Sequence, residues 1–291
     1  MAAVAPHGSV NAAVSNSVVL RQMRRLRRFL RSPKGYLLVA LCGLSAVAAP
    51  HEGVRAVTVT LCAAVAGAVG MDLILMRLND GPRFFPSSAL LTGLIVGMVL
   101  SAQENPAIAF CASVLAIDAK HLLRLGRTHI FNPAAVGLLG VYALFGSGQS
   151  WWGALADLPG PLLFLLLAAG YLVAGRANKL PAVLSFAGVY GALFTVASFA
   201  GQPALVADIF RPPFLNAAAF FALFMVTDPP TSPVTFAEQG WFGALTAAVA
   251  YIVYMATHGL YYLLVAILVA NVVWAATREG SRWLTRSHIT G

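Results

Sequence analysis

The sequence predicts an all-α integral membrane protein of about ten transmembrane helices, in two inverted five-helix repeats with short helices at spans three and eight. Composition is the first observation behind this. The chain is 59% hydrophobic and 10% charged, with a mean hydropathy of +0.79, where a soluble domain carries about 25% charge. The second is the recurrence, from Tyr36 to Thr277, of apolar runs of about 14 to 23 residues divided by short charged or Pro/Gly stretches. The third is the uneven placement of basic residues in the loops between those runs.

The chain opens with a basic region. Seven basic residues fall between Arg21 and Lys34, in "RQMRRLRRFLRSPK". A nucleic-acid-binding arm uses the same charges, but an apolar span begins immediately at Tyr36. A juxtamembrane cytoplasmic anchor is therefore expected, with the lipid bilayer and not nucleic acid as partner. The basic region is too long for a secretory signal peptide, and no A-x-A cleavage site precedes a soluble chain. The first 20 residues are small and polar, a composition that predicts disorder. The expected organisation is a basic cytoplasmic segment over 1–35, a transmembrane domain over 36–277 and a basic cytoplasmic tail over 278–291.

The spans fall at 36–50, 54–76, 87–101, 106–123, 131–146, 161–175, 182–200, 214–227, 239–257 and 259–277. An even number puts both ends on one side. With the N-terminus inside, all of the 19 Lys and Arg residues except Arg55 and Arg211 become cytoplasmic, as the positive-inside bias requires. A multi-pass protein of the cytoplasmic (inner) membrane follows, with both termini cytoplasmic. The external loop "GSGQSWWGALADLPGP" has no basic residue, and its Trp151 and Trp152 suit an interfacial aromatic belt.

Spans three and eight, "SSALLTGLIVGMVL" and "FLNAAAFFALFMV", each cover roughly 20 Å against a hydrocarbon core of about 30 Å. Each follows a proline (Pro86, Pro213) and stops at a polar, proline-containing break, "SAQENP" or "TDPPTSP". They hold equivalent places in two five-span halves, and their breaks face opposite sides. Paired short helices aimed at a midplane site are the mark of inverted-topology repeats.

The second break carries the clearest candidate chemistry. Pro229, Pro230 and Pro233 stop the helix, while Asp228, Thr231, Ser232 and Thr235 offer polar side chains after Thr227. Irregular backbone at membrane depth must be buried in protein or face a polar cavity; an interfacial turn with Asp228 as a cap is the plainer alternative. Asn132 and Pro133 open the fifth span as N-cap and first helical residue, after a loop rich in Lys120, His121, Arg124, Arg127 and His129. That loop suits a phosphate-bearing partner or simply enforces topology.

Asp72 and Asp118 lie in or near apolar spans and are candidates for an ion path. The alternative is an ion pair at the interface, with Asp118 close to Lys120 and His121 and Asp72 five residues before Arg77. Cys42, Cys62 and Cys111 sit in apolar runs without a C-x-x-C, so buried thiols packing as small hydrophobes are expected. No two histidines share a mid-membrane depth, which argues against a haem. No P-loop, G-x-G-x-x-G, H-E-x-x-H or G-x-S-x-G occurs. No catalytic residue and no metal-ligand set is expected.

Three stretches, taken together, resemble one family. "KHLLRLGRTHIFNPAAVG", "FFALFMVTDPPTSPVTFAEQGWFGAL" and "SSALLTGLIVGMVLS" are similar, in the same order, to signatures of the RnfD/NqrB membrane subunits. The resemblance runs from about Leu75 to Trp274. It implies ten spans, both termini inside and an inverted five-plus-five repeat. It also implies a place in ion-translocating electron-transport complexes that link ferredoxin or quinone chemistry to NADH. Those subunits carry FMN on a threonine of a Ser-Gly-Ala-Thr-type motif between spans five and six. Here that loop, Gly146 to Pro161, holds Ser147, Gly148 and Ser150 but no threonine. A covalent flavin is therefore expected to be absent, and the chain resembles stand-alone, divergent relatives such as those encoded with enediyne biosynthesis.

Three functions compete. The first is a membrane electron-transport component binding FMN or riboflavin noncovalently through Asn132, Pro133, Thr227, Asp228, Thr231, Ser232 and Thr235. As an enzyme it would be a subunit of an ion-translocating oxidoreductase and not an independent catalyst. The second is a channel or transporter for a small solute on a urea-transporter-like inverted-repeat fold. The third is an anchor for a redox partner subunit, docked on the basic cytoplasmic face.

Overall fold

The structure is a computed structural model that describes residues 23–24, 27–78, 86–126, 128–201 and 203–287, without the side chains of Leu205 and 279–287. The expected disorder of residues 1–20 lies outside the described residues, as do Arg83 and Arg127.

Each predicted apolar span is helical. Besides a four-residue helix at Pro203–Val206, the helices among the described residues are, in chain order, α1 (Pro33–Glu52), α2 (Val54–Leu78), α3 (Ser87–Val99), α4 (Pro106–Leu122), α5 (Pro133–Phe145), α6 (Leu163–Arg176), α7 (Leu180–Phe199), α8 (Phe214–Phe220), α9 (Phe236–Thr257) and α10 (Tyr262–Ser287). Their starts are written in the sequence. Ser32, Asn105 and Asn132 cap α1, α4 and α5, each with a proline in the first turn, where the missing N–H costs nothing. Thr235 and Glu238 close a reciprocal capping box on α9. By length and composition α1, α2, α7 and α9 are able to cross a membrane; α3, α5, α6, α8 and α10 up to Arg278 are shorter apolar helices.

Two boundaries differ from the prediction. The loop before α5 is a small hairpin, β1 (Arg124–Leu125) against β2 (Thr128–His129), so the fold is not purely helical. Helix α10 runs on to Ser287, past the expected span end at 277; no proline interrupts it, and it continues through Gly280.

The most extensive contacts are α2 on α4, α4 on α5 and α2 on α3 in the first half, and α7 on α9 and then α9 on α10 in the second. Glycines permit them. A Cβ on Gly137 would collide with the Ala112 carbonyl oxygen, and one on Gly243 with that of Ala182. Small residues at such crossings let helix backbones touch, which is how helices associate where lipid supplies no hydrophobic drive. The three cysteines are exposed rather than buried; they lie on helix faces turned away from the bundle.

The loop after α5 does not lie on the surface. Trp151 and Trp152 are fully buried, at 0% and 1% exposure, not part of an interfacial belt. Their burial follows from the shortness of α3, whose last carbonyls lack helical partners. The Val99 carbonyl accepts from the backbone N–H groups of Ser150 and Trp151 at 3.1 and 3.0 Å. The Trp152 indole N–H donates to the Gly97 carbonyl at 2.8 Å. From the other half, the Asn216 amide of α8 donates to the carbonyls of Ala154 and Leu155 at 3.0 and 3.3 Å. The loop thus plugs the space between the two short helices.

Candidate functional site

At the other end of α3 and α8 the polar break is held by side chains from three other elements. Helix α8 widens into a π-turn over Phe221–Met225, where Val226 N–H reaches back five residues to Phe221 O at 3.0 Å. Such turns are inserted residues that often mark functional sites. Beyond it, Thr227 donates its hydroxyl to Leu223 O at 2.8 Å. Asp228 organises the turn that follows: its carboxylate accepts from the Thr231 hydroxyl at 2.9 Å and its carbonyl from the Ser232 hydroxyl at 2.7 Å.

Lys179, in the turn between α6 and α7, is 4% exposed and donates to the carbonyls of Ser232 (3.2 Å) and Pro233. Burial pulls its ammonium below the ordinary range, and the nearby Asp228 carboxylate opposes that. Gln239, fully buried, donates to the carbonyls of Asn178 and Val234, both at 3.0 Å. Asn271, in the middle of α10, accepts from the Asn132 backbone N–H at 2.8 Å and donates to Thr231 O at 3.0 Å. Asn132 itself caps Ala135 N–H at 3.2 Å and donates its amide to Met225 O at 3.3 Å. Its capping role is thus real, and it also ties α5 to the π-turn.

These contacts border a cavity of about 210 Å³. Its apolar wall includes Leu91, Ile95, Val173 and Phe224, and its polar edge Ser88, Thr92, His129, Asn132, Thr227 and Asp228, with Lys34 beside Pro33 at the start of α1. The His129 ring nitrogen lies 3.6 Å from the Asp228 carboxylate. Both halves contribute: α1, α3 and α5 from one, α6 and α8 from the other.

Of the predicted site residues, Asn132, Pro133, Thr227 and Asp228 line this cavity. Thr231 and Ser232 lie buried behind Asp228 as its hydrogen-bond donors. Thr235 is exposed and occupied by its capping box. Asp72 and Asp118 are elsewhere, on α2 and α4. Asp72, 4% exposed, accepts from His121 at 2.8 Å and Lys120 at 3.2 Å. Among the described residues Asp118 forms no ion pair; Lys120 is two positions on, which a helix turns to another face. Lys179, Gln239 and Asn271 were not picked out from the sequence. The signal available was a lone amide in the apolar run "ILVANVVWAA" and a lysine immediately before an apolar helix.

The NQR2, RnfD, RnfE family model matches residues 161–278. That segment holds α6 to α10, including Lys179, the π-turn, the proline break and Asn271. Over that segment the chain is similar to the NQR2, RnfD, RnfE family. The match agrees with the resemblance carried by the "TDPPTSPVT" stretch. Together with the apolar helices, it supports a multi-pass membrane protein. No curated protein matches the chain.

Proposed function

We propose that this chain, similar over residues 161–278 to the NQR2, RnfD, RnfE family, is an electron-transport component of the inner membrane that binds FMN or riboflavin noncovalently in the cavity between its two halves. The carrying observation is the cavity itself, which joins the starts of α3 and α5 to the π-turn and proline break of α8. When bound, the flavin supplies the electron-accepting and electron-donating ring; the chain supplies position and environment.

The residues fit one end of a flavin. About 210 Å³ is below the roughly 300–1,000 Å³ of pockets that enclose a drug-sized ligand, so the remainder would extend through the mouth. Asp228 repels a phosphate, so the uncharged end would enter and an FMN phosphate would lie towards Lys34. The Thr227, Thr231 and Ser232 hydroxyls already donate within the chain. What Thr227 offers a ligand is a lone pair, while the buried Thr231 and Ser232 hold Asp228 in the wall from behind. Leu91, Ile95, Val173 and Phe224 exclude water.

The α2–α4 and α4–α5 contacts have counterparts in α7–α9 and α9–α10, which supports the inverted-repeat reading, while the α2–α3 contact has no counterpart of its size. With both termini cytoplasmic, the cavity opens on the basic face, where a redox partner subunit would dock. The Asp72–His121–Lys120 cluster is the stronger candidate for an ion path, because both its acid and its bases are part-buried. The solute-pathway alternative is less well supported, since Trp151, Trp152 and Leu155 fill the far end of the α3–α8 space.

The test is the visible spectrum of protein purified in mild detergent, followed by acid precipitation and flavin titration. Flavin absorbance released into the supernatant is expected. Colour retained in the pellet would show covalent attachment, and a colourless protein without flavin affinity would end this assignment.

A further inference from the structure

The cavity leaves unused the strongest charge concentration in the chain. No acidic residue occurs before Glu52, while seven basic ones lie between Arg21 and Lys34. Four of these, Arg24, Arg27, Arg28 and Arg31, are spaced i, i+3, i+4 and i+7, the spacing by which residues share one face of a helix. Among the described residues they alone line a concavity of about 400 Å³. Among the described residues none of the four has a carboxylate within ion-pair distance.

The segment is held at a fixed angle to the bundle. Its helical turn over 27–30 ends at Arg31–Ser32, and Ser32 N–H donates to Phe29 O at 2.9 Å. The Ser32 hydroxyl also donates to Phe29 O, at 2.6 Å, and accepts from Gly35 N–H at 3.3 Å. Gly35 is buried under this contact, and a Cβ there would collide with the Phe29 carbonyl oxygen. The helical turn over 27–30 therefore does not continue α1 but packs against its first turn at Gly35. Met23 and Leu30 are exposed beside the arginines.

We propose that Arg24, Arg27, Arg28 and Arg31 form a binding site for the phosphate headgroups of anionic phospholipids on the membrane face from which α1 starts. A guanidinium pairs with phosphate oxygens in bidentate geometry, and four on one face without internal carboxylates are matched by a dense array of anions. The anionic leaflet supplies that array beside the start of α1. Met23 and Leu30 suit the boundary between headgroups and acyl chains.

The experiment places the full chain in nanodiscs of phosphatidylcholine with and without phosphatidylglycerol. Spin-labelled phosphatidylglycerol and phosphatidylcholine report which lipid is immobilised. Wild type is expected to prefer phosphatidylglycerol, with the preference falling as salt rises. The quadruple variant R24Q/R27Q/R28Q/R31Q is expected to lose the preference by on the order of tenfold. The charge-keeping R24K/R27K/R28K/R31K should retain part of it, with thermal unfolding confirming that both variants fold. Equal preference in wild type and the glutamine variant would overturn the site. So would displacement of the labelled lipid by inorganic phosphate alone, which would mean a free-anion site, or binding of an acidic peptide with no lipid preference.

Discussion

Asn132 and Asn271, 139 positions apart, are joined by a 2.8 Å hydrogen bond from the backbone N–H of the first to the side-chain carbonyl of the second. The opposite end of the same Asn271 amide holds Thr231 O at 3.0 Å. One side chain therefore fixes both the start of α5 and the turn after α8, the two edges of the candidate site. Replacing it with leucine leaves a buried N–H and a buried carbonyl without partners. Asn271→Leu is expected to cost about 1–3 kcal/mol, read as a fall in thermal stability in detergent; unchanged stability would show that the bridge is not formed.

Lys179 holds the proline break from the other side. Lys179→Met removes the donor to Ser232 O and Pro233 O and is expected to destabilise by about 1–3 kcal/mol. The lysine also gives a pH signature. Because burial lowers its value from the ordinary 10.5, the folded chain binds this proton less tightly than the unfolded chain. Stability then rises with pH between the lowered value and 10.5. The stability difference between wild type and Lys179→Met should grow as pH climbs through that window, and a flat difference would contradict the assignment.

Trp152→Phe keeps most of the ring but leaves the Gly97 carbonyl without its indole donor. A loss of about 1–3 kcal/mol is expected. Trp152→Ala adds an unfilled space and should cost about 3–5 kcal/mol. Tryptophan fluorescence offers a second check: a buried Trp152 resists aqueous quenchers, whereas an interfacial one would not.

Gly137→Ala and Gly243→Ala test the α4–α5 and α7–α9 crossings. Each adds one methyl group against the backbone of a neighbouring helix. Overpacking of about 1–3 kcal/mol is expected at both. Gly188→Ala, where the added carbon meets nothing, serves as the control and should be neutral or slightly stabilising.

Much of this was legible in the sequence. The helices follow from apolar runs with prolines and asparagines at their starts, since capping is local chemistry. Asn132, Pro133, Thr227 and Asp228 stood out because polar residues and prolines interrupt otherwise apolar stretches. What could not be seen depends on long-range pairing. The partner of Asp72 sits 49 positions away at His121, and local spacing pointed instead to Asp118. Trp151 and Trp152 fit a surface belt on composition; only the unfilled carbonyls at the end of α3 explain their burial. Cysteine is usually buried in soluble proteins, but an apolar thiol facing lipid meets no penalty.

The π-turn at Phe221–Met225 has a consequence for how this helix tolerates change. A π-turn is one residue more than an α-helix needs, and each residue advances a helix by about 100°. Every side chain after Met225 is thereby phase-shifted against those before it. Thr227 and Asp228 meet the cavity by virtue of that offset, while Phe220 and Phe221 keep their seats in the aromatic core. Chain length inside this one turn is thus a rotational setting, and shortening it by a single residue would swing the polar pair around the axis without altering its chemistry.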